Sequence, residues 1–287
     1  MTELALTLVL ISAFFHATWN LLAKRSSGGV AFTWLFSVFM SLFYAPFAIA
    51  LIIITKPSFS FAEIVFIMGT ATLHIVYFLI LGRGYQKGDL SLVYPLARGT
   101  GPMLATIGAV VLLGERPSVL GIVGILCIGL GVFIFAGGGR NLRNKEARVG
   151  IIYALLIGTS IATYTIWDKY AMSVLLISPL LYEWFADSLR AIFLTGFVRN
   201  HWDDVRTEWQ THRYEAMGIA ILSPLAYILV LTALKVGPVS YIAALREISI
   251  LIGAIMGTVL LSEKGASRNW PGAIMMVIGV ITLGLGG

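Results

Sequence analysis

The stretch from Gly88 to Pro117, GDLSLVYPLARGTGPMLATIGAVVLLGERP, places one arginine inside a long apolar run and closes that run with a glutamate. About 148 positions later the chain repeats the pattern as VGPVSYIAALREISILIGAIMGTVLLSEK, which pairs Arg98 with Arg246 and Glu115 with Glu263. A repeat at this spacing predicts that the chain is built from two related halves.

The composition predicts an integral membrane protein. Hydrophobic residues make up 58% of the 287 residues and charged residues only 12%, with a mean hydropathy of +0.90, so nearly every segment is too apolar for the surface of a soluble domain. The net charge of +6 lies mostly in short gaps between apolar runs. There it faces lipid headgroups, so we expect no nucleic-acid binding. The single cysteine, Cys127, has no partner for a disulfide or a thiolate metal site.

Taking about 20 apolar residues per span, the sequence predicts ten all-α transmembrane helices. They lie near residues 3–23, 30–54, 63–81, 90–113, 118–137, 149–168, 174–198, 215–234, 239–261 and 270–286. The first run lacks the features of a signal peptide, and we expect it to be retained. Two repeats, 1–139 and 149–287, are joined by the loop 140–148. Because five helices per repeat is an odd number, the second half enters the membrane from the opposite side, which predicts an inverted repeat.

Several short motifs carry a family resemblance. Trp19-Asn20 and Lys24 come at the end of the first helix, Tyr-Pro-Leu-Ala-Arg enters the fourth, and Leu-Leu-Gly-Glu-Arg-Pro closes it. With ten spans as five plus five, these motifs resemble the EamA-type transporters of the drug/metabolite transporter superfamily. The resemblance covers nearly the whole chain. It implies a transporter fold but not a substrate, since that family carries amino acids, sugars, nucleotides, amines and other metabolites.

The distribution of basic residues predicts an orientation that differs from the family's. The gaps after odd-numbered spans hold thirteen Lys and Arg, and the gaps after even-numbered spans hold four. By the positive-inside rule the thirteen lie in the cytoplasm, which puts both termini outside. The family's usual arrangement puts both termini inside. We adopt the charge count as the prediction.

The two matched arginines are the leading candidates for a binding site. Arg98 and Arg246 lie about eight residues, or roughly 12 Å, inside their predicted helices. There an arginine costs at least about 2.5 kcal/mol unless it meets water, a carboxylate or a ligand. The structural alternative is that each forms an ion pair, with Glu247 directly after Arg246. Matched helices of an inverted repeat face the same cavity, which favours the functional interpretation.

The seventh predicted helix carries Glu183, Asp187 and Arg190 on one face. The corresponding first-half positions, Thr33 and Ser37, are uncharged. Two neighbouring carboxylates out of bulk water disfavour simultaneous ionisation, so proton coupling is one hypothesis. Local neutralisation by Arg190 is the alternative.

Other polar and aromatic residues fall on inward-facing stripes. We predict that one group of these residues contacts the substrate. A second group is a weaker candidate for substrate contact, because a buried polar side chain often only forms a hydrogen bond to a neighbouring helix. Glu115, Glu263 and Asp168 lie near predicted span ends, where interfacial capping is favoured over a site role. Glycines in the fifth and tenth helices predict close helix packing, with a homodimer face as the alternative. Besides the two arginines, the substrate-contact group is His16, Trp19, Asn20, Tyr77, Tyr94, Tyr164 and Glu247, and the second-rank group is His74, Trp167 and Asp168.

Together these features predict a secondary transporter that moves a small zwitterionic or anionic metabolite, such as an amino acid or aminophosphonate, across the bacterial inner membrane by alternating access. The sequence contains no phosphate-binding loop, metal-ligand cluster or catalytic constellation, so we expect neither enzyme activity nor a cofactor. The predicted partners are the substrate and membrane lipids. The alternatives are a lipid-headgroup flippase, a non-transporting membrane scaffold, or an exporter of amines and other cations.

Overall fold

The computed structural model describes residues 2–23, 29–87, 90–135, 145–261 and 270–286. Within these ranges the regular structure is helical throughout, as expected where lipid leaves backbone groups no partners outside their own segment. The helices are α1 (Glu3–Ala23), α2 (Val30–Thr55), α3 (Phe61–Lys87), α4 (Leu90–Leu113), α5 (Val119–Phe135), α6 (Lys145–Ser173), α7 (Pro179–Val198), α8 (Trp202–Val236), α9 (Val239–Leu245), α10 (Ile248–Leu261) and α11 (Trp270–Gly286).

Length and composition make the chain a multi-pass membrane protein. In the described part, six helices are long and apolar enough to cross a membrane: α1, α2, α3, α4, α6 and α8. The apolar cores of α5 and α11 are shorter. Helix α7 is long enough to span at 20 residues, but its apolar face is interrupted by Glu183, Asp187 and Arg190.

The predicted span 239–261 is helical at both ends but is interrupted in the middle. Helix α9 ends at Leu245 and α10 begins at Ile248. At the junction the Glu247 amide donates to the Ala244 carbonyl (3.1 Å) and the Ser249 amide to the Arg246 carbonyl (3.1 Å). These bonds reach three residues back rather than four, which tightens the turn locally. Arg246 and Glu247 therefore lie at a helix interruption.

The segment before residue 215 was predicted to be a hydrophilic connection and is instead helical. Helix α8 begins at Trp202, and two helical pieces meet at His212, whose φ of −127° and ψ of 25° are not helical. The first piece packs on α2 through aromatic rings. Trp209 stacks on Phe39 with centroids 5.3 Å apart, and Trp202 meets Trp34 edge-on. An amphipathic helix of this kind needs no long apolar run, so hydropathy missed it.

Helix packing is closest where glycines face one another. The most extensive helix pairs are α5 with α11, α4 with α6, α1 with α8 and α2 with α7. A Cβ at Gly124 would lie 2.8 Å from the Gly279 carbonyl, and one at Gly279 would lie 2.7 Å from the Gly124 carbonyl. These glycines serve contact between α5 and α11 within the chain, as the packing interpretation predicted. The homodimer face stays a prediction that they do not support.

The connection between α4 and α5 is hydrogen-bonded to the first residues of α9. Gly114 ends α4 in the left-handed region at φ +68°, a conformation that favours glycine. Glu115 then accepts hydrogen bonds from the amides of Val239 (2.7 Å) and Ser240 (3.1 Å) and from the Ser240 hydroxyl (2.8 Å). A carboxylate in this place compensates the exposed N–H groups of a helix start. The capping role predicted for Glu115 is confirmed, and its counterpart Glu263 lies outside the described residues.

Candidate functional site

Side chains from six parts of the fold meet in the interior. His16 on α1 lies within electrostatic range of both Arg98 and Arg246, and His74 on α3 lies within range of Arg246 and Arg190. The six parts are α1, α3, α4, α6, α8 and the junction of α9 with α10. We call this set the central cluster; its members are His16, His74, Tyr77, Arg98, Tyr164, Asp168, Tyr227, Arg246 and Glu247.

Arg98 is held in an ion pair across the two halves. Its side chain is buried, and its Nε lies 3.0 Å from Glu247 Oε2. That N–H does not point directly at the oxygen, so the contact is an ion pair rather than an aligned hydrogen bond. The Arg98 Nη2 also donates to the Ser249 hydroxyl at 3.0 Å. The structural interpretation offered for the arginines therefore describes Arg98, with Glu247 as its partner.

Arg246 has a different environment. Its side chain is half-buried, and its guanidinium carbon lies 5.7 Å from the centroid of the Tyr227 ring, within cation–π range. The Tyr164 ring meets the Tyr227 ring edge-on, with centroids 6.4 Å apart. Among the described residues, no carboxylate lies within ion-pairing distance of Arg246. The helix interruption thus presents a cation without a directly paired anion.

Asp168 does not have the interfacial position predicted for it. Helix α6 continues to Ser173, which places Asp168 inside the protein with no exposed surface. The Tyr182 hydroxyl donates to its Oδ1 at 2.6 Å, and the Tyr227 hydroxyl donates to its Oδ2. Charge-assisted bonds from hydroxyl groups let a carboxylate remain buried. The capping expectation is therefore wrong, because the helix runs beyond the predicted end.

Stacked rings surround this carboxylate. His74 lies parallel to Tyr164 with centroids 4.6 Å apart and meets Tyr227 edge-on at 5.4 Å. Tyr77 meets Tyr164 edge-on at 5.8 Å. The Thr70 hydroxyl lies 3.2 Å from His74 Nδ1. Aromatic pairs in these geometries favour one another's orientation.

The predicted α1 residues contact different groups. The His16 ring meets the Trp19 ring edge-on at 4.9 Å, and Trp19 Nε1 is buried with no hydrogen-bond partner among the described residues. Asn20 donates back to the His16 carbonyl at 2.7 Å, so its amide nitrogen serves its own helix. The Tyr94 side chain lies outside the described residues.

Trp167, a second-rank candidate, has a packing role. Its ring stacks on Phe66 with centroids 4.2 Å apart, and its N–H donates to the Phe66 carbonyl at 2.9 Å. A Cβ at Gly69 would overlap the Trp167 ring. These contacts join α3 to α6.

The charged stripe on α7 forms a second polar group, which we call the α7 cluster: Glu183, Asp187 and Arg190. Arg190 pairs with Asp187 at 2.5 Å and donates to the Ser37 hydroxyl at 3.0 Å. Local neutralisation therefore describes Asp187. Glu183 is only 8% exposed and has no hydrogen bond or ion pair within the described part of the chain.

Sequence reasoning missed several residues of these networks, among them Tyr182, Tyr227 and Ser249. Each contacts a predicted residue on another helix, and a single hydroxyl in an apolar helix leaves its hydropathy nearly unchanged. Over the described ranges no group of three or more His, Cys, Asp and Glu side chains is placed to hold a metal ion.

Comparison with known proteins gives a family and a fold. A sequence model described as the EamA-like transporter family matches residues 3–137 and, a second time, residues 148–285. A solved structure described only as "Crystal structure of protein" matches with a TM-score of 0.78 at 14% identity, covering 99% of this chain and 98% of that chain. No curated protein matches the sequence. At this identity the structural likeness shows the fold alone.

Proposed function

Because the chain belongs to the EamA-like transporter family, we propose that it is a secondary transporter of a small anionic or zwitterionic metabolite, with Arg246 as the receptor for the anionic group. The family makes it a membrane transporter of the drug/metabolite type. The substrate, the driving force and the transport cycle are the proposal. An amino acid or an aminophosphonate has the required size and charge.

The contrast between the two matched arginines supports this proposal most directly. Arg98 already has a carboxylate and a hydroxyl as partners, whereas Arg246 faces aromatic rings and no directly paired acid among the described residues. A carboxylate or phosphate group can take two guanidinium hydrogen bonds at once. A ligand anion would thus complete the coordination that the protein leaves open at Arg246.

The pattern of helix contacts supports alternating access. In the order of the two repeats, α1, α2, α3 and α5 correspond to α6, α7, α8 and α11, and α4 corresponds to α9 with α10. Swapping the two repeats then turns the contact of α1 with α8 into that of α6 with α3. It also turns the contact of α4 with α6 into that of α9 and α10 with α1. The pairs α2–α7 and α5–α11 each map onto themselves. This exchange is expected of an inverted repeat whose two-fold axis lies in the membrane plane. A helix interrupted near the site is also typical of secondary transporters.

Glu183 is our candidate for proton coupling. A buried carboxylate with no cation partner is costly when charged, so binding a proton relieves that cost. Glu183 also lies within electrostatic range of Asp187, Arg190 and Asp168, so its charge would be felt by both clusters. Asp187 is the weaker candidate because Arg190 neutralises it.

We further propose ten spans in the bacterial inner membrane with both termini outside, counting α9 and α10 as one interrupted span. The excess of basic residues in the odd-numbered gaps supports this orientation. Tags placed at the termini and labelled in intact cells test it. Labelling from the outside is expected, and labelling only after permeabilisation would contradict the charge rule here.

A thermal-shift screen of amino acids, organic phosphates and quaternary amines tests the proposed substrate class, since a ligand that binds only the folded state raises its melting temperature. Stabilisation by anions or zwitterions, lost in Arg246→Ala, is the expected result. Stabilisation by hydrophobic cations alone would instead support an amine exporter. A response to lipid headgroups alone, with no saturable solute uptake into proteoliposomes, would support a flippase or scaffold.

A further inference from the structure

Among the described acids that the proposed binding step does not use, Asp168 is the most deeply buried. It has no exposed surface. Among the described residues no Lys, Arg or His lies within ion-pairing distance of it. Its direct partners are hydroxyl groups: Tyr182 donates to its Oδ1 and Tyr227 donates to its Oδ2. Such a site holds a negative charge without neutralising it.

Tyr227 connects this charge to the proposed anion receptor. Its hydroxyl donates to Asp168 Oδ2, and its ring lies 5.7 Å from the Arg246 guanidinium carbon. Arg246 is also within electrostatic range of Asp168 itself. A phenol that donates to an anion has a more electron-rich ring, which strengthens its attraction for a cation.

We propose that Asp168 is the internal counter-charge of Arg246, acting largely through Tyr227, and that it competes with the substrate's anionic group for that arginine. The inference rests on the proposed function, in which Arg246 binds an anion. It makes Asp168 and Tyr227 positioning residues that set the affinity of the site. An arginine in an apolar interior without any counter-charge would hold an anion too tightly to release it, and transport requires release.

The competition predicts an unusual sign. Most substitutions beside a binding site weaken binding, because they disturb its geometry. Asp168→Asn removes both the competitor for Arg246 and the repulsion felt by an incoming anion, so it is expected to tighten anion binding by about fivefold or more, a typical coupling between neighbouring sites. Tyr227→Phe keeps the ring but loses the hydroxyl bond, so a smaller tightening is expected.

Tyr182→Phe is the matched control. It removes the same kind of hydrogen bond from the same carboxylate, but Tyr182 lies on α7 and its ring does not contact Arg246. If the effect passes through Tyr227, Tyr182→Phe leaves anion affinity near the wild-type value. Equal effects of the two Tyr→Phe substitutions would show that hydrogen bonding to Asp168 matters only for its general structure.

The test is a titration of the full-length purified protein in detergent with inorganic phosphate, a minimal anion, followed by its melting temperature. Each variant is first checked for a monodisperse elution profile. If Asp168→Asn does not give folded protein, the comparison of Tyr227→Phe with Tyr182→Phe decides alone. Tighter phosphate binding in Asp168→Asn and Tyr227→Phe supports the inference, and unchanged or weaker binding overturns it.

Arg246→Ala separates this inference from the proposed function. If Arg246→Ala binds phosphate as well as the wild type, the proposed receptor is wrong. If Arg246→Ala loses phosphate binding while Asp168→Asn and Tyr227→Phe match the wild type, the receptor stands and the counter-charge does not.

Discussion

Arg98 and Arg246 occupy the same place in the two repeats and have different partners. Arg98 lies in the continuous helix α4, is 6% exposed and pairs with Glu247. Arg246 lies between α9 and α10, is half-buried and faces Tyr227. The difference shows that a repeated residue need not have repeated partners: one copy pairs with an acid of the other half, and the other is the one that we propose as the receptor for a ligand.

The residues after each arginine explain the difference. Glu247 and Ser249, which contact Arg98, correspond to Gly99 and Gly101 in the first half. The second repeat therefore supplies partners for the first repeat's arginine, whereas the glycines at the matching positions of the first repeat have no side chain to offer Arg246. Because this acid is present in just one of the two repeats, the site is asymmetric.

Arg98→Ala is expected to have the largest effect and to act on stability. It leaves the Glu247 carboxylate buried without its ion-pair partner, which typically costs about 3 kcal/mol or more. Thermal unfolding in detergent measures the loss. The double variant Arg98→Gln, Glu247→Gln removes both charges and should recover much of it. An Arg98→Ala protein as stable as the wild type but unable to bind anions would reverse the roles assigned to the two arginines.

Arg246→Ala should spare stability and remove binding. Since no described carboxylate pairs directly with Arg246, its loss should destabilise the protein less than Arg98→Ala does. Loss of a charge-assisted bond to the ligand should weaken anion binding by about tenfold or more. Arg246→Lys keeps the charge without the bidentate geometry and should retain part of the affinity. Normal transport by Arg246→Ala would rule out the receptor role.

The two acids of the α7 cluster extend the comparison, because one is paired and the other is not. Glu183→Gln should abolish the response of uptake to an imposed proton gradient in proteoliposomes, since the coupling proton would have no carboxylate to bind. Asp187→Asn should keep that response and lower stability, because Arg190 loses its 2.5 Å partner. An unchanged gradient response in Glu183→Gln would point to facilitated diffusion or exchange.

Glu115→Gln should have the smallest effect. It weakens the cap at the start of α9, which leads to Arg246, and a helix cap of this kind contributes about 1 kcal/mol. Glu63→Gln is the control, because Glu63 bonds the Ser60 amide at the start of α3, away from the helix interruption. A lower melting temperature in both with weaker anion binding only in Glu115→Gln is expected. Equal anion binding by the two variants would show that the cap does not affect the site.

Hydropathy and the repeat predicted much of this fold, because long apolar runs have few structures available in lipid. They did not predict the helix interruption, since Arg246 and Glu247 follow an apolar run without a proline or glycine. The spacing between a glycine and the matched arginine differs between the two repeats. Ten positions separate Gly88 from Arg98, but nine separate Gly237 from Arg246, and one residue turns a helix by about 100°.

The candidate site was predicted in part. The cost of a buried arginine singled out Arg98 and Arg246, but which of them has a protein partner depends on tertiary contacts that the sequence does not show. The position of Asp168 was predicted wrongly because the predicted end of α6 came too early in the chain. Tyr227 was detectable in principle: if Met68 corresponds to Met217, Tyr77 corresponds to Ala226, one position before it.

The most direct test compares two variants that neutralise one arginine each: Arg246→Gln, and Arg98→Gln with Glu247→Gln, which removes the direct ion-pair partner of Arg98 as well. Both are titrated with the best anionic or zwitterionic ligand of the thermal-shift screen. The double variant should still be stabilised by the ligand, and Arg246→Gln should not. Ligand stabilisation kept in Arg246→Gln and lost in the double variant would contradict the account.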